Sequence, residues 1–188
     1  MKINFPLLAL AVGAFAIGTT EFSPMGFLPE IANDLSVSIP QAGLLISAYA
    51  VGVMIGAPLM TLWLARFPKK TALILLMAIF TIGNVLATVA PDYMSLMGAR
   101  LITSLNHGAF FGLGSVVAAS VVPKDKQASA VAMMFMGLTI ANIGGVPLAT
   151  WLSQNTSWRM AFAAISILGI MTILALWKAL PQDHDVVK

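Results

Sequence analysis

The sequence predicts an all-α membrane protein of six transmembrane helices, arranged as two inverted units of three. Three observations carry the prediction. Hydrophobic residues make up 59% of the 188 residues and charged residues 9%, against about a quarter charged in a soluble domain, so the polar surface that a water-facing fold needs is missing. Apolar stretches of spanning length, about 20 residues, recur six times. A short pattern, Gly-x-Pro-Leu-x-Thr, recurs three spans apart, as Gly56 to Thr61 and as Gly145 to Thr150.

The predicted spans follow from hydropathy and punctuation, since a proline ends or bends a helix that reaches it. Span one is predicted over 5–28, before Pro29. Its apolar run is too long for the core of a secretory leader, and no small-x-small cleavage site follows it. Span two, 42–64, lies between a connection that carries acids and a basic one at 65–70 with Pro68 at its centre. Span three, 71–90, stops at Pro91-Asp92, and span four, 93–122, stops at Pro123. Span five, 128–152, is followed by a polar turn, and span six, 158–180, stops at Pro181.

The charges sort by side. Lys2, Arg66, Lys69, Lys70, Lys124, Lys126, Lys178 and Lys188 fall on one side of a six-span arrangement, while Glu30, Asp34 and Asp92 fall on the other with Arg159 as its one base. The positive-inside rule then puts both termini in the cytoplasm. Trp63, Tyr93, Trp151, Trp158 and Trp177 stand near span ends, where interfacial anchors sit. A net charge of +3 in such clusters orients a chain in a membrane and gives no sign of nucleic-acid binding. The repeated pattern closes span two running inward and span five running outward. That makes units of about 1–90 and 91–188 with opposite topology, a way transporters are built.

The residue that most needs an explanation is Glu21, deep in span one. A carboxylate in hydrocarbon costs a few kcal/mol, and intramembrane acids mark ion, proton or substrate paths. With about 1.5 Å of rise per residue, Glu21 lies about 13 Å below Glu30, and Arg100 lies about 12 Å below Asp92 on the same side. The two are therefore expected to face one aqueous cavity, paired directly or bridged by water or substrate. Arg100, Ser104, His107 and Phe111 recur at helical spacing, which puts them on one face of span four with Thr103 and Asn106 flanking. An imidazole at mid-membrane suits proton transfer. Asn84 is expected to hydrogen-bond between helices. Asn142 lies in a Gly-rich, Pro-containing stretch that suits a moving interface.

Rows of small residues mark close helix contacts: Ala48, Gly52 and Gly56 in span two, Ser104, Gly108 and Gly112 in span four, and Gly137, Ala141, Gly145 and Ala149 in span five. Bundle packing explains most of them, and those of spans two and five also suit contact with a second half-bundle. There is no cysteine, no His-Glu-x-x-His pair and no phosphate-cradling loop. No metal or other cofactor is expected, and the energy for any pump must come from a gradient. An intramembrane serine protease of six spans would need Gly-x-Ser-Gly and a histidine two spans later. Ser115 is followed by Val116, and span six has no histidine, so no enzyme is expected.

Several segments carry a family resemblance. They are Gly18 to Pro29 in span one, Ile46 to Val53 in span two, Asn106 to Gly112 in span four, Ala141 to Pro147 in span five, and Ser157-Trp158-Arg159 opening span six. Together they resemble the amino-terminal half of a major facilitator superfamily transporter, closest to the bacterial drug:proton antiporter branch with the arabinose efflux permease-like proteins. The resemblance covers essentially the whole chain. It implies half of a major facilitator fold, a bacterial inner membrane, and proton-coupled efflux of a small organic molecule, drug or sugar, by alternating access. It makes Glu21 a coupling or cation-recognition site and Arg100 a proton-coupling residue, with Ser104 on the small-residue face of the same motif; the residues read above, Asn106, His107, Phe111 and Asn142, and the aromatic neighbour Phe22 complete the candidate site. It assigns gating or interface roles to Arg66, Lys69, Lys70, Gly137, Gly144, Gly145 and Pro147, to which the small-residue row of span two adds Gly52 and Gly56. The chain departs from the family pattern at Asn142, where proline is usual, and in the loop motif, where Ala65 replaces an aspartate and Pro68 a glycine. The family joins two six-span halves, so this chain is expected to work as a homodimer with a twofold axis along the membrane normal. The alternative is a non-transporting half or an assembly partner of a longer carrier.

Overall fold

The computed structural model describes residues 4–180; the sequence positions Lys2, Pro181 and Lys188 lie outside them. Six helices long and apolar enough to cross a membrane run over Phe5–Gly26, Ile39–Leu64, Lys69–Thr88, Tyr93–Ser120, Lys124–Asn155 and Trp158–Ala179. They match the six predicted spans in order. The boundaries shift where capping chemistry outweighs hydropathy. Ser38 caps span two by accepting from the Gln41 N–H at 3.3 Å, which starts that helix three residues before the apolar run. Asp92 caps span four by accepting from the Ser95 N–H at 2.8 Å, and Ser157 caps span six. Short polar side chains at this position satisfy amide groups that the first turn leaves free. The acidic connection after span one, expected as loop, contains a short helix, Leu28–Asp34.

Two spans are interrupted. Span four breaks into Tyr93–Ser104 and His107–Ser120, with Leu105 and Asn106 bonded three residues back instead of four. In span five the backbone widens to a π turn over Ala141–Gly145, where the Val146 N–H reaches the Ala141 carbonyl five residues behind. Pro147 follows at once and has no N–H to give. The wider turn accommodates that loss as a single π turn inside an otherwise α-helical span.

The helices pack as a 3+3 repeat requires. Span one lies on span five as span four lies on span two; span one lies on span six as span four lies on span three; spans three and six lie against each other. The glycine rows are the reason for the first two contacts. A Cβ at Gly137 or Gly145 would land on the Ala11 carbonyl or the Thr19 and Phe15 side chains of span one. At Gly52, Gly56 and Gly108 it would land on Ser104, Leu105 and Ala57 across the span two–four contact. These glycines therefore serve packing within the bundle. The uncovered surfaces of spans two and five, the least buried of the six, are their opposite faces. Gly112 and Gly144 face open space, and Pro147 is exposed.

The ends are pinned by polar ties. Asp34 of the short helix accepts from Trp158 Nε1 at 3.0 Å and from Arg159, and Arg159 also donates to the Ala90 carbonyl at 2.9 Å. Trp158, expected as an interfacial anchor, is buried; its ring packs on Phe162 and beneath the Arg159 guanidinium. At the other end Lys70 donates to the Leu180 carbonyl at 2.6 Å.

Two predictions follow from this packing. Gly137→Ala forces spans one and five apart and is expected to cost about 1–3 kcal/mol, whereas Gly98→Ala, where a Cβ meets nothing within 4 Å, is neutral or stabilising by up to ~1 kcal/mol. Thermal unfolding in detergent compares them, and equal melting temperatures contradict the contact. The hydrogen bond from Arg159 first, and that from Trp158 second, hold the Asp34 carboxyl below its usual range. A lowered folded-state pKa means that the clasp stabilises above the unfolded value, about 3.9, and is lost as pH falls through the lower folded value. Asp34→Asn is expected to cost about 0.2–1 kcal/mol at pH 7 and to flatten that acid limb of the melting curve; an unchanged limb contradicts the clasp.

Candidate functional site

The site grows from one costly placement. Arg100 is fully buried in the first half of span four, and a guanidinium cannot be left uncompensated in hydrocarbon. Its Nη1 donates to the Thr20 carbonyl of span one at 2.8 Å, and its charge lies 4.2 Å from the centre of the Tyr49 ring of span two, a cation–π contact. The Thr20 hydroxyl in turn donates to Asn84 Oδ1 of span three at 2.7 Å, and Asn84 Nδ2 donates back to the Phe80 carbonyl at 2.9 Å. Four spans therefore meet at one buried polar junction. Arg100 Nε and Nη2 have no partner among the described residues.

Glu21 follows Thr20 and is partly open. The His107 imidazole lies beside it: Glu21 Oε2 is 3.8 Å from His107 Nε2. On the other side of the ring, His107 Nδ1 is 3.2 Å from the Tyr49 hydroxyl. With Tyr49 donating to Nδ1, the remaining ring proton sits on Nε2 and faces the carboxylate. The result is a continuous row, Arg100–Tyr49–His107–Glu21, that crosses spans four, two, four and one. His107 also lies 5.1 Å from the Phe111 ring, which stacks on Phe135 of span five at 5.1 Å.

The expected cavity shared by Glu21 and Arg100 is not seen: no ion pair within 4.0 Å joins them among the described residues, and Glu21 is partly open whereas Arg100 is buried. Arg100 is turned inward to a backbone carbonyl under Tyr49, and His107 takes the place beside the acid. The expected single face of span four is also divided, because the break at Leu105 and Asn106 changes the helical register. Ser104 turns to span two, donates to the Leu101 carbonyl and packs on Gly52. Asn106 is buried, with no partner for its side-chain amide among the described residues. His107 and Phe111 lie in the aromatic row. Phe22 is half-buried, and Asn142 is exposed and donates to the Leu138 carbonyl at 3.0 Å. Tyr49 was not singled out from sequence. Its place in span two at a depth comparable with Arg100 was the available signal. Among the described residues, no group of three metal-ligating side chains is close enough to hold an ion.

A six-helix half-bundle with paired inverted units and one ionisable cluster at mid-depth is the architecture of secondary transporters. The Major Facilitator Superfamily model matches residues 10–188, and the chain belongs to that family, which is one of transporters and not of enzymes. It is 70% identical over 182 residues to the inner membrane transport protein YdhP of Escherichia coli K12, covering 97% of this chain and 47% of the relative. It is 34% identical over 179 residues to the chloramphenicol resistance protein of Streptomyces lividans, covering 95% of this chain and 46% of the relative. The fold matches the crystal structure of the D-xylose-proton symporter with a TM-score of 0.76 at 17% identity, over 95% of this chain and 48% of that one. The chain thus spans about half the length of the relatives it matches.

The junction makes a direct prediction. Thr20→Val removes the donor to buried Asn84 and is expected to cost about 1–3 kcal/mol, while Thr20→Ser keeps the hydroxyl and most of the stability. Thermal unfolding measures both; a melting temperature unaffected by valine contradicts the junction.

Proposed function

We propose that this chain forms the proton-binding half of a secondary transporter that exports a small organic molecule from a bacterial cell across the inner membrane by alternating access. The observation that carries the proposal is the Glu21–His107–Tyr49–Arg100 row, a partly open acid backed by an imidazole, a phenol and a buried guanidinium. Such a group is expensive in a membrane and needs a purpose. Glu21 takes up a proton from one side and gives it up when substrate binds. His107 relays that proton, since imidazole exchanges protons on both ring nitrogens. Arg100 Nε and Nη2, without a partner among the described residues, receive the deprotonated carboxylate if span one turns, so the two protonation states of Glu21 favour different packings of spans one and four. The aromatic row Phe111–Phe135 supplies an apolar wall for the cargo. The relative named for chloramphenicol resistance supports a drug-like cargo, and the basic ends of the spans support cytoplasmic termini.

The uncovered faces of spans two and five need a second half. A second copy of this chain supplies it through a self-complementary twofold contact, or a further six-span segment of a longer chain does, as the length of the relatives supports. The mass of the assembly in detergent separates the two. In the assembled transporter, Glu21→Gln is expected to lower chloramphenicol accumulation by vesicles with an imposed proton gradient at least ~10-fold, by removing the group whose charge changes, with the melting temperature retained. Full gradient-driven accumulation in that variant contradicts the proposal.

A further inference from the structure

The loop motif Arg66, Lys69 and Lys70 has no part in the mechanism above, and the structure divides its members. Lys70 is taken by the Leu180 carbonyl. Lys69 instead lines a groove of about 430 Å³ formed by the ends of spans two, three and four, a size in the range of small-molecule sites, roughly 300–1,000 Å³. Apart from Lys69 and Thr61 its walls are apolar, with Leu64, Phe67 and Leu76 prominent and Gly112 on the span-four side. The Thr61 hydroxyl is spent on the Ala57 carbonyl at 2.7 Å, and among the described residues Lys69 is the one charged group in the lining. Arg66 is not in the lining; its guanidinium lies between two rings, 5.3 Å from the centre of Trp63 and 5.4 Å from that of Phe67, and Phe67 is a wall of the groove. Neither Arg66 nor Lys69 has an ion-pair partner among the described residues.

Two facts say what kind of occupant fits. The groove uses Ala109, Gly112, Leu113 and Val116 of span four, whereas His107 and Phe111 lie in the aromatic row and Gly114 packs on Leu10 and Met134 of spans one and five. The groove is therefore on the outer side of span four, away from the transport site. The uncovered stripe of span two, which includes Val51, Ile55, Leu59 and Leu62, projects to the opposite side of its helix from Met60 and Leu64 at 100° per residue. Thr61 and Ala65, the other span-two residues of the lining, lie on the side of exposed Met54, so a partner helix on the Val51–Leu62 stripe leaves open the wall formed by Met60 and Leu64. An apolar slot with a cationic mouth at the basic end of the bundle complements a lipid that has an apolar tail and an anionic head.

We propose that this groove is a binding site for an anionic phospholipid, one acyl chain lying between spans two, three and four and the phosphate held by Lys69 and Arg66. The test is mass spectrometry of the intact chain released from detergent, after incubation with phosphatidylglycerol or with phosphatidylcholine of the same chains. The wild type is expected to retain phosphatidylglycerol preferentially. Lys69→Gln is expected to lower that preference about 5-fold, the worth of one basic group near an anionic headgroup. Gly112→Leu projects into open groove space, since a Cβ there meets nothing within 4 Å, and is expected to abolish retention of both lipids. If Gly112→Leu lowers the melting temperature, Lys69→Gln decides. Glu21→Gln and Leu62→Phe, away from the groove, are expected to retain phosphatidylglycerol as the wild type does, which keeps this test separate from that of transport. Equal retention of the two lipids by the wild type, a preference that survives Lys69→Gln, or a dimer that carries no lipid each overturns the proposal.

Discussion

A guanidinium buried among four membrane spans has to be answered by the protein, because lipid cannot answer it. Arg100 is answered by the Thr20 carbonyl and the Tyr49 ring, and this fixes spans one, two and four relative to one another. Thr20 passes the constraint to span three through Asn84. Everything at the candidate site inherits its position from this junction. Glu21 is the next residue after Thr20, His107 is one break away from Arg100, and Tyr49 touches both Arg100 and His107. The ionisable groups are few, but they share one scaffold, so a change in charge at one is felt by the others.

The glycines make the scaffold possible. Charged and polar groups can meet only if the backbones approach closely, and the contacts at Gly137, Gly145, Gly52, Gly56 and Gly108 leave no room for a Cβ. In a membrane, where apolar burial gives no net drive between helices, such close approach supplies the dispersion energy of association. Both inverted units use it in the same place, span five against one and span two against four. This is the structural content of the repeated Gly-x-Pro-Leu-x-Thr pattern.

The fold was legible because hydrocarbon is a strict solvent. It demands about 20 apolar residues per span and polar groups at the ends, and both are written in composition and charge order. The depths of Glu21 and Arg100 were legible for the same reason, since helical rise is fixed. Their partners were not. Helical periodicity assumes an unbroken span four, and the break at Leu105 and Asn106 removed Ser104 from the face it would otherwise share with His107. Tyr49 looked like one more apolar position in span two, because nothing in its neighbours along the chain shows that Arg100 will lie across its ring. The Asp34 clasp was hidden likewise: its partners are more than a hundred residues away and meet it only once span six is packed against the short helix that follows span one.

The account rests on Glu21 standing in water within the membrane, and the absence of any cysteine makes that directly measurable. Glu21→Cys and, as a reference, Leu62→Cys on the exposed apolar face of span two are reacted in proteoliposomes with a water-soluble maleimide that does not enter lipid. Rapid labelling at position 21 and little at position 62 is the predicted result. Labelling at position 21 as slow as at position 62, in protein whose melting shows it folded, would contradict the account.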